Sequence, residues 1–226
     1  MTTRFSGVAI CLTSVVFAGP VFADIDMSFD GMYLHQEVTR SYVFGDAWDS
    51  PQRQGGTRTM AGILSFNDGD LLTLCMELKQ TASHSVLSYQ ANSFGEFNSQ
   101  VFDRSLVLAS LFDQYWEQTI SSGSKAMASA FAMVTWEVML EGFSFPGTSM
   151  FDQISIDKGA VQFSGVSNQS LAYYQEMTGN LYIADSSDGL VAYVHPQHQD
   201  QVGVVPAPSV LALLGIAGLR RRRRRG

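Results

Sequence analysis

Apolar and polar positions change their period twice along this chain, and the changes divide it into a strand-rich first part, a helical middle and a mixed final part. In residues 24–97 short apolar runs alternate with turn residues. The runs 27–29 and 32–34 flank Asp30-Gly31, the run 41–44 follows, and residues 49–56 form a polar loop containing Pro51. The clearest hairpin covers residues 57–79, where two apolar runs meet at Asn67-Asp68-Gly69-Asp70, a strong tight-turn sequence. Cys75 falls inside the returning strand.

The middle switches to helical spacing. Leu108, Leu111, Phe112, Tyr115 and Trp116 recur every three or four residues and predict an amphipathic helix over about 103–119. Ser121-Ser122-Gly123-Ser124 breaks it, and a second helix is predicted over 125–140, with Met127, Phe131, Val134 and Val138 on one face. After Pro146 the pattern gives strands at 151–156 and 160–163, a helix at 168–177, and strands at 181–184 and 190–194. The expected architecture is α+β: a single domain in which an antiparallel sheet packs against an antiparallel helical pair. Residues 195–205 are polar and read as a linker.

Both ends lie outside that domain. Arg4, an apolar segment and Val21-Phe22-Ala23 form a secretory signal peptide over 1–23, with cleavage after Ala23. At the other end, residues 206–226 contain an apolar run followed by Arg220, Arg221, Arg222, Arg223, Arg224 and Arg225. Arginine is costly in hydrocarbon and favoured on the cytoplasmic side, so this order suits a segment that enters a bilayer and stops. As a helix, residues 210–219 would rise about 15 Å, roughly half of a hydrocarbon core of about 30 Å. The anchor is therefore short and suited to a transient stay.

Val205-Pro206-Ala207-Pro208, the apolar run and the arginine cluster together resemble the PEP-CTERM sorting signal. In that family an exosortase-type membrane transpeptidase recognises and cuts the tail, in Gram-negative bacteria that make exopolysaccharide. Here Ala207 stands where the family has Glu, and the apolar run is shorter than the family's. The resemblance implies export by the secretion machinery, removal of the leader by signal peptidase, and a temporary place in the inner membrane. Release to the envelope, surface or extracellular matrix would follow.

Setting the ends aside changes the charge. The chain has 14 basic and 21 acidic residues; without Arg4 and the six tail arginines, seven basic residues remain and the body carries a formal −14. Such a body repels polyanions, and with the one cluster of basic residues in the tail, nucleic acid is not an expected partner. Cys11 leaves with the leader, so Cys75 is the lone thiol of the processed chain and no internal disulfide can form.

Thr73-Leu74-Cys75-Met76-Glu77-Leu78, together with Ala130-Phe131-Ala132-Met133-Val134-Thr135-Trp136, resembles the thioester-domain type of bacterial surface protein. There a cysteine and a glutamine condense into an internal thioester that acylates a nucleophile on a target. The position of the family's glutamine is Ala132 here, which has no carbonyl to condense with Cys75. The body thus reads as a degenerate thioester-like scaffold with a buried Cys75, and a thioester would need another glutamine such as Gln80 or Gln162.

The remaining candidates are local. His195, His198 and Asp200 have the chemistry of metal ligands, but Pro196 keeps the two imidazoles off one helix face, so no metal or other cofactor is expected. Asp68 with Asp70, and Asp185 with Asp188, read as turn residues. Glu137 and Glu141 stand one helical turn apart, the carboxylate pair a glycoside hydrolase would need, and read as solvated helix surface. His35 and His84 have no neighbouring partner in sequence. The chain is therefore expected to be a non-enzymatic exported surface or matrix protein with a structural or adhesive role. Alternatives are a covalent thioester adhesin, a carbohydrate-binding module using Tyr173 and Tyr174, and a secreted hydrolase.

Overall fold

The computed structural model describes residues 24–42, 56–78, 80–94, 104–141 and 149–205. Eight strands form one sheet: β1 Ile25–Met27, β2 Phe29–Tyr42, β3 Thr57–Phe66, β4 Leu71–Cys75, β5 Leu87–Ser93, β6 Val161–Ser164, β7 Leu190–His195 and β8 His198–Val204. Their order is β1-β5-β7-β8-β4-β3-β2-β6, and every pairing is antiparallel. Among the described residues three helices, α1 Arg104–Ser122, α2 Lys125–Leu140 and α3 Asn168–Gly179, complete an α+β single domain.

The β3–β4 hairpin follows the sequence closely. Phe66 pairs with Leu71, and Asn67 and Asp68 both take positive φ at the turn, which their short polar side chains tolerate. Asp30 supports that turn, accepting from the Gly69 backbone N–H and the Ser65 hydroxyl, each at 3.1 Å. The turn expected at Asp30-Gly31 is thus a correction: β2 runs through it, with Asp30 taken up in a register shift against β3 and Gly31 paired with Ser65. Where β2 crosses β3, a Cβ at Gly62 would lie 2.0 Å from the Leu34 carbonyl oxygen, so only glycine fits.

The helical pair is present, joined at Gly123-Ser124, with the Ser124 side chain accepting from the Met127 N–H at 3.2 Å as an N-cap. One expectation changes here. The sequence pattern gives α2 one buried face, whereas every residue from Ala126 to Val138 is buried. The helix packs on β2, β3, β4 and β6 and also on α1 and α3, so it is the central element of the core. Phe131 meets Phe112 edge-on at 5.0 Å and Trp116 at 5.9 Å, tying α2 to α1.

Three further expectations differ. Residues 151–156 are not a strand: Phe151–Gln153 is one 3-10 turn, begun by Asp152 and Gln153 N–H groups donating to Ser149 and Met150 carbonyls. Residues 181–184 are no strand either, because their backbone donors go to α1: Tyr182 N–H to Ser110 Oγ and Ala184 N–H to the Leu106 carbonyl, both at 3.3 Å. The largest correction concerns residues 195–205, read as a linker. They form the β7–β8 turn and all of β8, which pairs with β7 on one side and β4 on the other. Their polar side chains are used inside the fold: Gln201 Oε1 accepts from Thr73 Oγ1 at 3.2 Å, and Gln199 Nε2 donates to the Glu77 and Gln80 carbonyls at 3.0 Å. Residues 43 and 44 of the predicted strand 41–44 lie outside the described residues.

Candidate functional site

Cys75 ends β4 in the core at 4% exposure, where its Sγ donates to the Glu77 carbonyl. Its backbone carbonyl accepts from Trp136 Nε1 at 2.9 Å, fixing β4 to α2. Burial pushes the thiol up to about 12, against the lowering effects of Trp136, the Glu77 backbone and Arg40. At neutral pH roughly one thiol in 10⁵ is then ionised, so the nucleophilic form is scarce. Ala132 is buried one helical turn before Trp136, on the same side of α2. Gln162 is on β6, and β3 and β2 stand between that strand and β4, a separation of roughly 14 Å at the usual strand spacing. It is therefore no partner for Cys75.

A cleft of about 710 Å³ opens beside Cys75. Its wall brings together His35 and Arg40 from β2, Arg58 from β3, Gln80 and His84 from the segment after β4, and Trp136 from α2. No Asp or Glu lines it among the described residues, although the body is strongly acidic. Three polar atoms on the wall are buried and lack a hydrogen-bond partner: His35 Nδ1, Arg40 Nε and Gln80 Oε1. His84 is held by its Nδ1 donating to the Phe29 carbonyl at 2.7 Å. This grouping is not legible in the sequence, since its members come from β2, β3, α2 and the segment from Cys75 to His84, which only the fold brings together.

The two helix carboxylates are inside the domain, which corrects their reading as solvated surface. Glu137 is fully buried, and neither oxygen has a well-formed hydrogen bond. Burial, followed by the neighbouring Glu141 charge, drives its carboxyl well above the usual carboxylate range, which favours the protonated form. Glu141 Oε1 accepts from the Ala160 and Val161 N–H groups at 2.7 and 3.3 Å, yet burial raises its carboxyl to about 7. Arg104 binds the end of the same helix through the Met139 and Glu141 carbonyls. Tyr174 faces this acidic pair and is 3% exposed with an unpartnered hydroxyl, so it is not the exposed aromatic the sequence suggested; Tyr173 is half-buried against the core. The arrangement locks the end of α2 onto residues 160–161.

His195, His198 and Asp200 meet in the β7–β8 hairpin. The imidazole centroids are 4.8 Å apart, and Asp200 Oδ1 accepts from the His195 backbone N–H at 2.9 Å. The carboxylate is thus used as a turn clamp. Among the described residues no group of three or more His, Cys, Asp or Glu side chains is arranged to hold a metal ion. A second cavity of about 620 Å³ lies between α1 and the strap at 182–190, and Val205 forms part of its wall. Asp188 N–H bonds to Ser186 Oγ within a turn.

Of the sorting residues, Val205 is described, and its N–H donates to the Gly189 carbonyl at 2.9 Å. Ala23, Pro206, Ala207, Pro208 and the arginines from 220 to 225 lie outside the described residues. Among the described residues no helix is long and apolar enough to cross a membrane. No family model matches the chain, and neither a curated protein nor a solved structure matches it.

Proposed function

We propose that this chain is an exported, non-enzymatic surface or extracellular-matrix protein with a structural or adhesive role, sorted by its PEP-CTERM-type tail. The observation that carries the reading is the order of parts at the C-terminus. The last backbone bond among the described residues, from Val205 to Gly189, immediately precedes Pro206, Ala207 and Pro208 in sequence, and the apolar run and six arginines follow. A transpeptidase cutting within 205–208 would remove the tail and leave β8 intact. Its partners are then signal peptidase, the secretion machinery, the exosortase-type enzyme, the inner membrane for a time, and exopolysaccharide or envelope components at the end.

The test is fractionation of a Gram-negative host that carries an exosortase. The parent chain should reach the envelope or medium, whereas a Pro206→Ala, Pro208→Ala double variant should accumulate uncut in the inner membrane. Equal release of both would remove the sorting signal from the account.

One observation favours a second reading, the covalent adhesin: Gln80 lines the same cleft as Cys75, so an alternative glutamine is nearby. A thioester between them would leave the native protein lighter by one ammonia and reactive to methylamine, with both properties lost in Cys75→Ala. A native mass equal to that of the processed chain would dispose of it.

A further inference from the structure

The cleft beside Cys75 differs from the rest of the body in charge and in hydrogen bonding. Two arginines and two histidines line it, against a body in which acidic residues outnumber basic ones three to one. Arg58 is shared at the rim with Glu37, at 3.3 Å and with both side chains well exposed, so that pair is weak and open to exchange. Arg40 is set deeper, and its Nε is enclosed without an acceptor. Leaving a buried guanidinium N–H unpaired is costly, as it is for the nearby His35 Nδ1 and Gln80 Oε1. Residues lining one cleft therefore carry a guanidinium N–H, an amide oxygen and an imidazole nitrogen that are enclosed and unsatisfied.

The charged donor calls for an anion, and a planar guanidinium suits a carboxylate. The Gln80 oxygen calls for a donor, which a hydroxyl supplies. Apolar wall from Met32, Leu64, Leu78 and Trp136 gives the ligand's carbon framework a surface to lie on. The volume is in the range used by small-molecule sites. A long polyanion would be repelled by the surrounding body, which restricts the ligand to a small unit.

We infer that this cleft is a binding site for a small hydroxylated carboxylate of the sugar-acid class, its carboxylate on Arg40 and its hydroxyls on Gln80 and His35. The inference concerns the cleft alone and does not depend on how the chain ends are processed. Calorimetric titration of the full chain with glucuronate, glucose and octanoate separates the possibilities. Glucuronate should bind saturably and at least about 10-fold more tightly than either of the others, because each competitor satisfies only half of the cleft. Arg40→Gln should weaken glucuronate about 10-fold or more and leave glucose unchanged, while Lys125→Gln, remote on α2, should change neither. Should Arg40→Gln fail to fold, Gln80→Ala, on the segment after β4, should lower glucuronate affinity in its place. Equal binding of glucuronate and glucose, tighter binding of octanoate, or no binding of glucuronate would each overturn the assignment.

Discussion

Gly159 and Glu141 occupy one another's space so closely that a Cβ at position 159 would lie 2.2 Å from Glu141 Oε1. The same glycine has φ of +86°, a region that L side chains rarely adopt. Both facts follow from the way the end of α2 is fastened: Glu141 reaches into the turn before β6 and takes the N–H groups of Ala160 and Val161. Gly159→Ala should therefore destabilise the domain by about 2–4 kcal/mol, from the backbone conformation and the overlap together. Denaturant unfolding of the two proteins measures it, and a loss under about 1 kcal/mol would show that the clasp is loose.

The buried carboxyls give a pH dependence whose sign can be worked out. Glu141 is raised from 4.5 to about 7 and Glu137 is also raised, both mainly by burial, so the folded state holds their protons at pH values where the unfolded chain has released them. The contribution of Glu141 to stability is complete below about pH 4.5 and is lost as pH rises through 7, and that of Glu137 has the same sign. For Glu141 this is on the order of 3 kcal/mol. Asp200, raised to about 6 mainly by burial, acts in the same direction. The protein should melt higher at pH 5 than at pH 8, by roughly 5–10 °C. Glu137→Gln, which stays neutral at every pH, should flatten that slope, and a melting temperature that rises toward pH 8 would contradict the assignment.

How much of this was legible beforehand depends on whether a residue's role is local. The β3–β4 hairpin and α1, α2 and α3 follow from turn residues and period alone, since each is decided within a few positions. The role of β8 is not local: Gln199, Asp200 and Gln201 look like a solvated linker because their polar groups are satisfied by β4, β7 and the segment after β4. The burial of Glu137 was hidden for a similar reason. A carboxylate on a helix reads as surface unless it is known that a third helix and the 154–161 segment cover that side. The cleft around Cys75 was invisible except for Cys75 and Gln80, because pairing of β2 with β3 is what brings His35 and Arg40 beside them.

A chain ended at His195 tests the status of β8. It would lose both the β7 and β4 pairings and expose the edge of each, so it should show no cooperative unfolding transition, while a chain ended at Val205 should unfold like the parent. Circular dichroism melts of the two truncations distinguish a strand from a linker. Cooperative melting of the shorter one would restore the linker.

Cys75 should behave as core. In the native protein it should resist alkylation by iodoacetamide at pH 8 and react fully once denatured, since its thiol is enclosed and pushed up to about 12. Trp136→Phe should cost about 1–2 kcal/mol by leaving the Cys75 carbonyl without its donor. Rapid native alkylation would mean that the thiol is open to the cleft.

The proposed export and sorting are tested most directly by the intact mass of the protein recovered from outside a Gram-negative host cell that carries the sorting enzyme. The account predicts a chain that begins at Asp24, ends within residues 205–208, and lacks all six arginines. A recovered chain that still carries Arg220 to Arg225, or a protein found only in the cytosol with Met1 in place, would contradict it.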